Sequence, residues 1–260
     1  MTGKLPNLHA RMLDRVVAAL RDDPRFDALL AGGSLVTGGF DEQSDLDLIL
    51  VVRAEMQAAV MAERRDFAAG LGELLAAFTG EHVGEPRLLI CLFGPPLIHV
   101  DLKFMALADL DGLAERPVVL WARAATAIEN RLDAARVKPS GKGPQWFEDR
   151  AWLWLHYGAT KLLRGEYYEA IGTLEFFRDQ VLGPMLQRNA GQPQRGVRRV
   201  EDVVDAPATL RPTLAAYDRA SILQALRQSA MLYVELRQAA LPRMLTAHMP
   251  ELLLDFIDGK

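Results

Sequence analysis

The chain has one cysteine, Cys91, and a lone cysteine cannot close an internal disulfide. Nothing in the composition asks for an oxidising compartment. A basic excess is missing too. Thirty Lys and Arg stand against 34 Asp and Glu, a net charge of −4, which excludes nucleic-acid binding by bulk charge. No apolar run approaches the roughly 20 residues needed to span a bilayer, so no membrane span is expected. With 20 Gly and 14 Pro in 260 residues, collagen and low-complexity disorder are excluded as well. No secretory leader is read at the start. Leu8, Met12, Val16 and Leu20 fall at helical spacing instead, as in an amphipathic helix. The expectation is a soluble, cytoplasmic protein.

What remains is an ordinary globular composition, 50% hydrophobic and 25% charged. At about 100–200 residues per domain, the length allows one large domain or two modest ones. Charge divides unevenly: residues 1–140 carry 15 basic and 20 acidic side chains, residues 141–260 carry 15 and 14. The break falls in the Pro- and Gly-rich segment Val137 to Pro144, the most linker-like stretch. The expected division is a first domain over 1–137 and a second over 144–260.

The first half alternates helix and strand signals. A helix is read over 8–21, an apolar segment over Phe26 to Ala31, a strand over Leu46 to Val52 and a long helix over 54–79. Strands are read over Arg87 to Phe93 and Leu97 to Met105, joined by Gly94-Pro95-Pro96 as a hairpin. A short strand near 117–121 and a helix near 122–135 close the domain. This is an α/β or α+β pattern with a small mixed sheet. The second half reads as helices over Trp146 to Arg164, Tyr167 to Gln187, Thr209 to Ala239 and Leu241 to Ile257. An all-helical bundle is expected.

The chemistry concentrates between Gly32 and Val52. On a strand, residues i and i+2 point to one side, so Asp45 and Asp47 share a face. Like charges held together at the start of an apolar strand are unfavourable unless a cation compensates, and oxygen ligands suit Mg²⁺. An isolated Asp-x-Asp is also a common exposed strand end. Gly33-Ser34, after a short apolar segment, adds a tight turn whose backbone N–H groups suit a phosphate, although a Ser there also serves as a plain helix cap. The segment Ile98 to Met105 puts apolar residues at 98, 100, 102 and 104, leaving His99, Asp101 and Lys103 on the other face. A neighbouring strand can bring Asp101 to the metal, and two metals need more carboxylates than one pair supplies.

Gly33-Ser34, then Asp45-Leu46-Asp47 leading into an apolar strand, then Asp101 on a later one, resembles the polymerase-β-type nucleotidyltransferase superfamily. Within it, residues 32–48 are similar to the small aminoglycoside- and lincosamide-modifying nucleotidyltransferases, which append a helical C-terminal domain. The motif resemblance covers about residues 30–105. It implies that Gly33 and Ser34 bind the β and γ phosphates and that Asp45 and Asp47 ligate Mg²⁺. Asp101 completes a two-ion site or takes the proton from the acceptor hydroxyl. The implied reaction moves a nucleoside monophosphate, AMP from ATP first among NTPs, to a hydroxyl of a small molecule. The helical domain would lend Lys161 to the triphosphate and form a cleft with the first domain.

Other residues carry two readings each. Lys103 contacts a phosphate or is a solvated strand lysine, and His99 is catalytic or structural. Tyr157, Lys161 and Arg164 share a helix face, with Tyr168 and Glu169 beyond Gly165. Arg178, Arg188, Arg195, Arg198 and Arg199 reach phosphate or are solvated. Trp146, Trp152, Trp154, Phe176 and Phe177 stack on a base or form core. Glu129, Glu148 and Glu166 meet a cationic acceptor or are solvated helix charges. Arg150 and His156 fit the Arg-x₄₋₆-His pattern of helical ribonucleases. Two further functions stay open beside the first: a protein-AMPylating, antitoxin-like transferase and an inactive nucleotide-binding module.

Overall fold

The computed structural model describes residues 5–136 and 141–259. The part of the linker-like segment at 137–140 lies outside the described residues. Contacts group the chain into two compact units, residues 1–139 and 140–260.

The first unit is a six-stranded mixed sheet in the order β3-β4-β5-β2-β1-β6. Its strands are β1 (Phe26–Ala31), β2 (Leu46–Val52), β3 (Leu74–Gly80), β4 (Glu85–Phe93), β5 (Ile98–Ala106) and β6 (Val118–Ala122). Its helices are α1 (Asn7–Asp22), the single turn α2 (Ser34–Thr37), α3 (Gln57–Gly70) and α4 (Ala125–Ala134). β2 and β5 run parallel, whereas β1–β2, β1–β6, β3–β4 and β4–β5 are antiparallel.

Alternation sorts the strand residues onto two faces. Leu46, Leu48 and Leu50 of β2 join Val100, Leu102 and Phe104 of β5 in one core cluster, with Met12, Val16 and Leu20 of α1 and Val60 and Ala68 of α3. Burying each such Leu, Val, Met or Phe side chain contributes about 1.5–3 kcal/mol. Ile49 and Val51 face the other way and pack with Met105, Ile128 and Leu132, the last two on α4. That second cluster does not include Asp47, Asp101 or Lys103, which carry the same face to the other end of the β2–β5 pair.

One expectation fails in this unit. The long helix over 54–79 stops at Gly70, and Leu74–Gly80 is an edge strand paired with β4. Gly70 and Gly72 end the helix, and the ladder to β4 overrides the helical propensity of the Leu-Ala run.

The second unit has no strand among the described residues. It contains α5 (Pro144–Leu163), α6 (Tyr167–Phe177), a π-helical stretch Arg178–Leu182, α7 (Gly183–Asn189), α8 (Ala206–Leu210), α9 (Arg219–Leu236) and α10 (Glu251–Asp258). Phe147, Trp152, Leu155, Phe177, Leu226 and Tyr233 are among its core residues. Two expected helices are shorter than read. The one over 209–239 breaks after Arg211–Thr213, and α9 starts afresh at Asp218, whose carboxylate accepts from Ser221 N–H at 2.9 Å. The one over 241–257 begins only at Glu251, because Pro242 and Pro250 keep the preceding segment out of a helix. Among the described residues no helix is long and apolar enough to cross a membrane.

Candidate active site

Asp47 and Asp101 are register partners across the parallel β2–β5 ladder. Neighbouring strands lie about 4.8 Å apart, so two carboxylates start from adjacent backbone on one face. Asp45 sits just before β2 with the same parity as Asp47. The Asp101 side chain is 19% exposed and accepts from His99 Nε2 at 2.9 Å. Burial pushes its carboxyl above the usual range, the neighbouring His99 opposes this, and the charge of Asp45 adds to it. Negative charge here is thus partly desolvated and mutually repelled. The donors are all carboxylate oxygens, the set that suits a hard divalent cation. Among the described residues no three His, Cys, Asp or Glu side chains close into a group that could hold a metal ion. The aspartates fit Mg²⁺ in kind and in face, without a finished ligand shell.

The Gly33–Ser34 turn abuts the same carboxylates. Gly32 N–H donates to the Asp47 carbonyl at 2.9 Å, tying the turn to β2. Gly33 has φ 59° and ψ −138°, a conformation that side chains disfavour. A Cβ at Gly33 would overlap the Asp47 carboxylate, so only glycine fits. Val36 and Thr37 N–H groups donate to the Gly33 carbonyl. Ser34 is 6% exposed, and its Oγ has no hydrogen-bond partner. A buried hydroxyl left unpaired is costly and is the observation here that best fits an absent polar ligand. The Gly33 N–H, by contrast, already donates to Glu115 Oε1 at 2.6 Å.

Asp47, Asp101, Lys103, Glu85, Glu115 and Gly32 line a cavity of about 280 Å³. Lys103 Nζ pairs with Glu85 at 2.8 Å. Arg87 also grips Glu85, and with Lys103 it holds that carboxyl down to about 2. A larger cavity of about 750 Å³ lies between α1, the end of α3 and the β4–β5 turn; its lining does not include Asp45, Asp47 or Asp101. The sequence reading passed over Glu85, Glu115 and His9. His9 carried a signal: it is a polar residue on the apolar stripe of α1. Glu115 carried none, since it reaches Gly33 across 82 residues.

Lys161 belongs to the second unit. Its ammonium is held by Glu166 at 2.8 Å and Glu169 at 2.9 Å, and these carboxylates raise its pKa. Tyr157 donates to Glu169. Glu148 is neither a solvated charge nor an acceptor-facing one. It is 2% exposed and accepts from Trp152 Nε1, Tyr233 Oη, Arg237 Nη1 and Thr246 N–H. Glu129 pairs with Arg116 on the surface of the first unit. Arg178 donates to the Thr213 carbonyl at 2.7 Å, and Arg188 lies over Phe147. Trp152 and Phe177 are core, whereas Phe176 is exposed. Arg150 stacks on Trp146, and His156 on Phe256.

No family model and no curated protein matches the sequence. Among solved structures, the chain is similar to an aminoglycoside 6-adenyltransferase from Bacillus subtilis, at 14% identity and a TM-score of 0.35, over 95% of this chain and 94% of that one. It is also similar to a nucleotidyltransferase-like protein from Exiguobacterium sibiricum 255-15, at 14% identity and a TM-score of 0.35, over 89% of this chain and 76% of that one. Likeness at that level carries no weight for activity, which has to be read from the residues themselves.

Proposed function

We propose that the β2–β5 end of the first unit is a Mg²⁺-dependent nucleotidyltransferase site. It moves a nucleoside monophosphate, AMP from ATP first, to a hydroxyl of a small acceptor such as an aminoglycoside or lincosamide antibiotic. The observation that carries this reading is the in-register pair Asp47 and Asp101 beside the glycine-only turn at Gly33.

Asp45, Asp47 and Asp101 would hold two Mg²⁺ ions, which supply charge neutralisation for the triphosphate and the departing pyrophosphate. The remaining steps belong to the chain. Ser34 Oγ, buried and unpaired, donates to the β or γ phosphate, and the Gly33 N–H does the same once Glu115 yields it. Fixing the phosphates in this way places the α-phosphorus for in-line attack. The acceptor oxygen forms its bond to the α-phosphorus as the bond to the β-phosphate oxygen breaks, and pyrophosphate leaves with that electron pair. Asp101 takes the hydroxyl proton on its carboxylate, steadied by His99 at 2.9 Å. Lys103, in the same cavity, balances phosphate charge. Residues 1–137 form the catalytic domain and residues 144–260 the domain that selects the acceptor. The cytoplasm, where ATP is supplied, is the compartment this reading proposes.

The test is direct. The protein is incubated with Mg²⁺, each α-labelled NTP, and a panel of aminoglycosides, lincosamides and candidate proteins, with Asp45→Ala/Asp47→Ala as control. Label on a small hydroxyl compound, absent in the control, supports the reading. Labelled protein without a labelled small molecule replaces it with AMPylation. No transfer and no Mg²⁺-dependent NTP binding ends it.

A further inference from the structure

His9 lies on α1, on the stripe otherwise made of Met12, Leu13, Val16 and Leu20. It is 2% exposed. Burial alone would favour an aliphatic residue there, because the ring brings two polar nitrogens into the core. One of them, Nδ1, is buried with no partner. The other, Nε2, lies 2.7 Å from the Ser44 carbonyl oxygen. A carbonyl only accepts, so Nε2 carries the hydrogen and donates it to Ser44. The single polar gain of the residue is therefore its bond to Ser44.

That bond falls at a sensitive place. Ser44 O belongs to the peptide unit that joins Ser44 to Asp45. The β2 ladder to β5 begins at Leu46, and its ladder to β1 reaches only Leu48, so Ser44 and Asp45 precede the register-paired residues of β2. Within the preceding turn, Asp41 N–H donates to Ser44 Oγ, Ser44 Oγ to Asp41 Oδ1, and Gln43 N–H to Asp41 Oδ1. These bonds shape the turn. His9 anchors it to α1 at Ser44, and Phe40 packs its ring on the imidazole at 5.0 Å, edge to face.

We infer that His9 is a positioning residue for Asp45: through the Ser44 carbonyl it sets the peptide plane from which the Asp45 carboxylate is aimed at the metal. This rests on the proposed function for its consequence, though not for its geometry. Residues that orient a metal ligand from behind are worth about 10- to 100-fold in metal affinity.

The experiment compares His9→Leu, His9→Asn and His9→Gln in the full chain. Leucine keeps the apolar volume and removes the donor. Glutamine can place an N–H near the position of Nε2, whereas asparagine is too short. Three readouts are taken: Mn²⁺ affinity by electron paramagnetic resonance, hydrogen exchange at the Asp45 amide with the thermal midpoint, and kcat and KM for the transfer. The expected result is that His9→Leu and His9→Asn weaken Mn²⁺ binding and kcat by about tenfold, leave KM for NTP within twofold, and speed exchange at Asp45. His9→Gln recovers most of each. The inference is overturned if His9→Leu binds Mn²⁺ as tightly as wild type with unchanged Asp45 exchange, or if glutamine rescues no better than asparagine. If wild type itself binds no Mn²⁺, the metal reading falls, and the exchange data alone decide the role of His9.

Discussion

Gly33 leaves no room for a side chain against the Asp47 carboxylate. The two residues come from different strands' ends, and the Gly32 N–H to Asp47 carbonyl bond holds them together. Gly33→Ala therefore meets both a left-handed backbone and a steric overlap. The expected cost is about 1–3 kcal/mol of stability and loss of at least about tenfold in turnover, because Asp47 must move. Thermal unfolding and a transfer assay on the purified variant check this. A Gly33→Ala protein with wild-type turnover would contradict the placement of Asp47.

Glu115 occupies the Gly33 N–H in the structure, and a phosphate oxygen needs the same donor. Glu115→Ala is expected to lower KM for NTP several-fold with kcat little changed, since a hydrogen bond to a charged group is worth about 1.5–3 kcal/mol. Glu115→Gln, which keeps an acceptor and loses the charge, should fall between. A rise in KM on removing the carboxylate would show instead that Glu115 supports the turn for the nucleotide.

In the second unit, Glu148 gathers four donors within the core, Arg237 among them. Removing one partner of a buried ion pair costs about 3–5 kcal/mol. Glu148→Ala should lose that much in chemical denaturation, and it should not alter the acceptor preference of whatever folded fraction remains. A change in acceptor preference would restore the surface role first read from the sequence.

Arg87 and Lys103 keep the Glu85 carboxyl down to about 2, against 4.5 for the free group. A carboxylate whose folded pKa is depressed stabilises the fold above its unfolded value, and that contribution is lost as pH falls toward the folded one. Wild type should thus exceed Glu85→Gln in thermal midpoint above about pH 4.5, and the gap should close toward pH 2. A gap that stays constant through that window would remove Glu85 from the acid response.

Much of the fold is legible in the sequence. The strand at Leu46 to Val52 announced itself by a run rich in Leu, Ile and Val around Asp47, and β5 by strict alternation that put His99, Asp101 and Lys103 on one side. Those patterns are local, and side-chain parity follows from them directly. The helix over 54–79 failed because a Leu-Ala run suits either helix or strand, and β4, not the run itself, decides which. The Glu115 contact was invisible because no local spacing links residues 33 and 115. His9 could have been noticed as the misfit on an apolar stripe, but its partner, the Ser44 carbonyl, is backbone and leaves no mark in the sequence.

The most direct measurement supplies the protein with Mg²⁺, an acceptor panel and ATP labelled at the α or the γ phosphate. The account predicts that an acceptor gains the α label and never the γ label, with one pyrophosphate released per transfer. It also predicts that Asp47→Asn and Asp101→Asn each lower the rate by about a thousandfold, the several kcal/mol expected of a group that places a catalytic metal. Transfer of the γ label, or full activity in both variants, would contradict it.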